Sequence, residues 1–196
     1  MSMNTHVNRT VSCCFSILRQ LRTVRRSVPT NVFQQLVVAL VISRLDYGNA
    51  TLYGLPMNQY KKLQSVMNSG AKLIFRAKKR DHVTPLLKEL HWLKAPERIC
   101  YKLAVLAFLC FKGMAPTYLS EELRFASSDR SRSRLRSASS NTMLIPRTRL
   151  STIGDRAFPV AASRVWNSLP SDVTSLDSVQ SFKSKLKTHF FRISYQ

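Results

Sequence analysis

Apolar residues recur at helical spacing along most of the chain. Val11, Phe15, Leu18 and Leu21 fall three and four residues apart, which predicts an amphipathic helix from about Thr10 to Arg26 with its arginines on the opposite face. Pro29 with Thr30 or Asn31 opens a second helix. Phe33, Leu36, Val37, Leu40 and Val41 make that helix apolar nearly all round, so it is expected to be buried. It should end near Arg44–Leu45, and Asp46-Tyr47-Gly48-Asn49 reads as a turn. Pro56 starts a long helix with Tyr60, Leu63, Val66, Met67, Ala71 and Ile74 on one side. Its end is polybasic, through Lys72, Arg76, Lys78, Lys79 and Arg80.

Thr84-Pro85 is an N-cap and N1 pair for a short helix to Leu90, and Trp92 and Leu93 follow as core anchors. Pro96 with Glu97 opens a further helix, Leu103 to Leu109 forms its core run, and Gly113 ends it. Pro116 begins one more, to about Leu123. From Ala126 to Asn141 serines alternate with Arg130, Arg132, Arg134 and Arg136 around a lone Leu135, so no face can be buried and a basic linker is expected. Thr142 to Pro146 and Leu150 to Ile153 read as two short strands flanking Arg147-Thr148-Arg149, with a turn at Gly154. Helical spacing returns over Phe158 to Trp166 and over Ser178 to Phe191, the latter with Val179, Phe182, Leu186 and Phe190 inward. The expected fold is mainly α: a helical bundle over residues 1–125, a basic Ser/Arg linker over 126–141, and a tail of a small β-hairpin and C-terminal helices over 142–196.

Composition adds a chemistry class only through charge: 31 Lys+Arg stand against 10 Asp+Glu, a formal +21 on 196 residues that are 44% hydrophobic. A globular core with this excess excludes an acidic solvating protein and speaks against a plain metabolic enzyme. It favours a polyanionic partner, nucleic acid or an anionic membrane surface. The longest apolar run, Leu103 to Phe111, is far shorter than the roughly 20 residues of a spanning helix, and no secretory signal pattern opens the chain. Cys13, Cys14, Cys100 and Cys110 form no C-x-x-C pair and have no histidine at ligand spacing. Buried thiols in a reducing, intracellular setting, nuclear or cytoplasmic, are expected, and no metal or other cofactor. Asp46, Asp81, Asp129, Asp155, Asp172 and Asp177 are scattered, no glycine-rich phosphate loop exists, and no catalytic constellation emerges.

Ser43-Arg44-Leu45-Asp46-Tyr47-Gly48-Asn49, Leu52-Tyr53-Gly54-Leu55-Pro56, Asp81-His82-Val83-Thr84-Pro85, Leu90-His91-Trp92-Leu93 and Ala115-Pro116-Thr117-Tyr118-Leu119 stand in a particular order. Pro146-Arg147-Thr148-Arg149-Leu150, Gly154-Asp155-Arg156-Ala157-Phe158 and Trp166-Asn167-Ser168-Leu169-Pro170 continue it. This string resembles the C-terminal part of jockey-like LINE (non-LTR) retrotransposon reverse transcriptases, over nearly the whole chain. The resemblance implies a thumb and connector fragment, following a polymerase palm whose metal-binding aspartates have no counterpart here. It therefore implies a non-catalytic piece that holds RNA or an RNA–DNA hybrid by its backbone, with a polymerase core or other protein covering its exposed apolar faces. Alternatives are a helical protein-interaction module and a decayed element without a selected function.

Charge and position, rather than family motifs, single out the candidate phosphate contacts. They are Arg19, Arg22, Arg25 and Arg26 on the first helix, and Lys72, Arg76, Lys78, Lys79 and Arg80 at the end of the third. The second group fits equally well as cations at a helix C-terminus. Arg130, Arg132, Arg134 and Arg136 are expected to form a looser clamp, helped by Arg147 and Arg149.

Overall fold

The computed structural model describes residues 3–125, 142–150 and 152–196, and these are mainly helical. The expected basic linker, with Arg130, Arg132, Arg134 and Arg136, lies outside the described residues. The chain divides into two compact units. The first comprises Met1–Asn49, Leu55–Arg98 and Phe191–Gln196; the second comprises Ala50–Gly54 and Ile99–Phe190.

In the first unit, α1 (Met3–Val24) and α4 (Met57–Ile74) run parallel. Lys62 Nζ donates to Asn8 Oδ1 at 2.7 Å near their starts, and Arg25 reaches the carbonyls of Leu73 and Ile74 at their ends. α1 buries Val7, Cys14, Leu18 and Leu21. The inward face is thus turned from the expected one, because Val11 and Phe15 are only half-buried. Between these helices, α2 (Thr30–Val37), a π-helical turn (Val38–Ile42) and α3 (Ser43–Asp46) form one continuous helical stretch. It returns antiparallel to α1, placing the Cys14 thiol 3.9 Å from the Val41 carbonyl. Phe33, Val37, Val41, Ile42 and Leu45 are buried, whereas Val38 and Leu40 are exposed. The expectation of a helix buried all round is corrected here: one face packs on the unit and the other meets solvent. α4 packs closely at Gly70, where a Cβ would lie 3.3 Å from Val37 Cγ1.

Asp46 at the end of α3 accepts from Arg98 Nε at 3.0 Å and from Asn49 Nδ2, and Arg98 Nη2 completes a two-pronged ion pair. α5 (Thr84–Glu89) and the start of α6 (Ala95–Phe111) follow, with Trp92 and Leu93 buried as anchors. The first N–H of α6 bonds to Gln64 Oε1 at 2.8 Å, so α4 supplies the cap that local sequence lacks. The chain terminus is held by Tyr195, whose hydroxyl donates to the Trp92 carbonyl. Burial, with Glu97 adding, pushes the Tyr195 phenol up to about 12.

Three helices end in one turn geometry, in which the second residue past the cap donates to the carbonyl five residues back. Ala77 N bonds Lys72 O at 2.9 Å, Trp92 N bonds Leu87 O at 3.0 Å, and Met114 N bonds Leu109 O at 2.9 Å. The residue before each donor is left-handed: Arg76 at φ 53°, His91 at φ 52° and Gly113 at φ 67°. Gly113 alone announces this in sequence. The helix expected to carry Lys72 through Arg80 therefore stops at Ile74, and the basic residues beyond it sit in a loop.

In the second unit, α6 continues toward Phe111 and is joined by α7 (Thr117–Ser120), α8 (Phe158–Asn167), α9 (Ser171–Thr174) and α10 (Val179–Tyr195). Phe108 stacks on Phe182 at 4.1 Å between ring centres, and Trp166 lies 6.0 Å from Phe182, so aromatic packing forms the centre. The expected hairpin is corrected. Among the described residues the pairing of 142–146 is a single bridge, Phe125 to Met143, with Leu144 N bonding Arg124 O at 2.8 Å. The Asn167 side chain takes both backbone groups of Met143 at 2.8 Å each, occupying the edge a hairpin partner needs. Beyond it, Gly154 N instead donates to Leu150 O at 2.7 Å.

Candidate nucleic-acid interface

Two helices that run parallel end on the same side. Their last carbonyls and the negative ends of their dipoles therefore gather there and draw cations. In the first unit this place holds the last turn of α1, with Arg22, then Arg25 and Arg26, beside the loop that carries Arg76, Lys78, Lys79 and Arg80. The two segments are joined directly, since Arg76 Nη2 donates to the Arg25 carbonyl at 3.3 Å.

Arg25 is corrected from a surface contact to an internal one. It is 5% exposed and continues the Cys14, Leu18, Leu21 face. Its Nε donates to Leu73 O at 3.1 Å and its Nη2 to Ile74 O at 2.5 Å and Thr30 Oγ1 at 3.1 Å. Nη1 donates to Val28 O at 3.2 Å, and the guanidinium lies 4.7 Å over the Phe33 ring. Burial, with Arg76 adding, lowers its pKa, but an arginine starts so high that it stays charged. All these acceptors belong to the fold, which leaves the group turned away from any phosphate.

The other candidates divide by position. Lys72 is half-buried and its Nζ donates to Lys79 O at 2.6 Å, which folds the loop back over the helix end. Asp81 Oδ2 accepts from Lys78 N at 2.6 Å and closes the same loop. Arg22, Arg26, Arg76, Lys78, Lys79 and Arg80 are exposed around this end. Arg19 is exposed a turn farther back on α1. Arg147 and Arg149 are exposed in the second unit, on the segment that Asn167 holds.

Sequence reasoning passed over a second feature of the first unit. His6, Arg9 and Cys13 of α1 face Leu40, Arg44 and Tyr47 across an open groove of about 760 Å³. Arg44 Nη1 donates to Cys13 Sγ at 3.4 Å across it. The signal available was Leu40, which the apolar spacing of its helix assigned to the core. Cys14, next to the groove but buried, has its thiol pushed up to about 11 by burial. Among the described residues, no group of three or more His, Cys, Asp or Glu side chains converges, and no helix is long and apolar enough to cross a membrane. No family model matches the chain, and neither curated proteins nor solved structures match it.

Proposed function

We propose that this chain is a non-catalytic piece of a retrotransposon reverse transcriptase that holds RNA or an RNA–DNA hybrid by its phosphate backbone. The observation that supports it is the meeting of the α1 and α4 ends, where Arg22, Arg26, Arg76, Lys78, Lys79 and Arg80 are exposed within one region. The mobile-element origin rests on the order of the sequence blocks alone. A surface of this kind has strong charge and no base-reading geometry, so it suits a sequence-tolerant grip. A hybrid duplex offers such a surface its phosphates and 2′-hydroxyls.

Anisotropy of a labelled RNA–DNA hybrid, titrated with the full chain, tests this reading. Five phosphate contacts give a slope of about −4.5 in log affinity against log salt, so a fourfold rise in salt should cost roughly five-hundredfold. Replacing Arg26, Lys79 and Arg80 together by glutamine should flatten the slope by about 3. No binding at low salt, or an unchanged slope in the triple variant, would overturn the proposal.

A further inference from the structure

We infer that the groove between the first half of α1 and the π-turn–α3 segment docks an acidic amphipathic helix of a partner protein. α1 and the α2–α3 stretch form an antiparallel pair, and such a pair has a groove on each side. α4 lies along one side, marked by Lys62 on Asn8. At 100° per residue, His6, Arg9 and Cys13 point away from Asn8, so their groove lies on another side of the pair. Its lining runs from His6 to Cys13 on one wall and from Ala39 to Tyr47 on the other. These spans measure about 10–12 Å along the axes, the rise of about two helical turns.

The floor and rim set the chemistry of the occupant. Ala39 and Leu40 of the π-turn and Tyr47 farther along the same wall give the groove an apolar strip, with Leu40 43% and Tyr47 83% exposed. A surface that only grips phosphates has no use for such a strip, whereas a helix with an apolar stripe does. Arg9 and Arg44 stand on opposite walls with His6 at the end, and no acidic residue lines the groove. Asp46, the acid nearest in sequence, is engaged by Arg98. Charge complementarity therefore selects a helix with carboxylates flanking its stripe. The groove is also distinct from the basic end: the centres of His6–Cys13 and Arg22–Arg26 lie about 20 Å apart along α1.

The test uses the full chain and three labelled, capped peptides of about 16 residues, long enough for a docked helix. One carries leucines at i, i+3, i+7 flanked by glutamates, one is its scramble without a stripe, and one has lysine for each glutamate. Micromolar binding is expected for the first, with amide shifts centred on Arg9, Cys13, Leu40 and Tyr47. Leu40→Gln and Arg44→Gln should each weaken it about tenfold. Both side chains are exposed, so the fold should persist, which circular dichroism verifies; Arg9→Gln provides a third, independent probe. Equal binding of the scramble would overturn the proposal. So would displacement of the striped peptide by an RNA–DNA hybrid with Leu40→Gln inert, since the site would then be a general polyanion surface.

Discussion

Replacing Arg25 by methionine keeps an apolar stem and removes the guanidinium. Leu73 O and Ile74 O then lose donors in a buried setting, each worth about 1–3 kcal/mol when left unmade. Both carbonyls sit at a helix end, where water can partly replace the donor, so the lower half of that range applies. The contact over Phe33 adds about 0.5–1 kcal/mol, and relief from desolvating a cation offsets part of the total. The expected loss is about 3 kcal/mol. With a urea dependence of about 2 kcal/mol/M, the unfolding midpoint should fall by about 1.5 M. Arg26→Met, one residue on and exposed, should change stability by less than about 0.5 kcal/mol. The affinities should divide the other way, with hybrid binding retained in Arg25→Met and weakened in Arg26→Met. A shift below about 0.3 M in Arg25→Met, together with weakened binding, would refute the assignment of Arg25 to the fold.

Gly113→Ala should cost about 1 kcal/mol by thermal unfolding, from the left-handed backbone alone, because nothing lies within 4 Å of the added Cβ. Gly154→Ala acts through space instead: its Cβ would lie 2.7 Å from Thr148 Cβ. A loss of about 1–3 kcal/mol is expected in urea, with the Thr148–Asp155 hydrogen bond disturbed. Tyr195 has a folded pKa raised to about 12, above its unfolded value near 10. Its contribution is therefore complete below about pH 10 and is lost as pH rises toward 12. Phenolate absorbance of the wild type minus Tyr195→Phe should show this late titration; ionisation near pH 10 would sink it.

Helix positions were legible because the longer helices bury a stripe, and a stripe leaves its period in the sequence. Leu63, Val66, Met67, Ala71 and Ile74 are all buried as their spacing predicted, and so are Phe182, Leu186 and Phe190. What periodicity misses is anything that changes the period or stops it without glycine or proline. The π-turn at Val38–Ile42 widens the helix and turns apolar Val38 and Leu40 outward. Arg76 and His91 end their helices in a backbone region normally given to glycine. The hairpin failed for a related reason: alternation reports an extended segment but not its partner, and here Asn167 takes that role with a side chain.

The same limit applies to the basic residues, and it sharpens where binding should reside. Parallel helices ending together create a demand for donors that exists without any ligand. Arg25 meets it at Leu73 and Ile74 and Arg76 at the Arg25 carbonyl, while Lys72 ties the following loop at the Lys79 carbonyl. Those three cations serve the fold, so the region's charge overstates its capacity for phosphate. Arg22, Arg26, Lys78, Lys79 and Arg80 are exposed and have no such side-chain assignment in the helix ends. The expected salt slope follows from these five rather than from every Lys and Arg in the region. Periodicity alone cannot make this division, because it depends on which carbonyls two helices distant in sequence bring together.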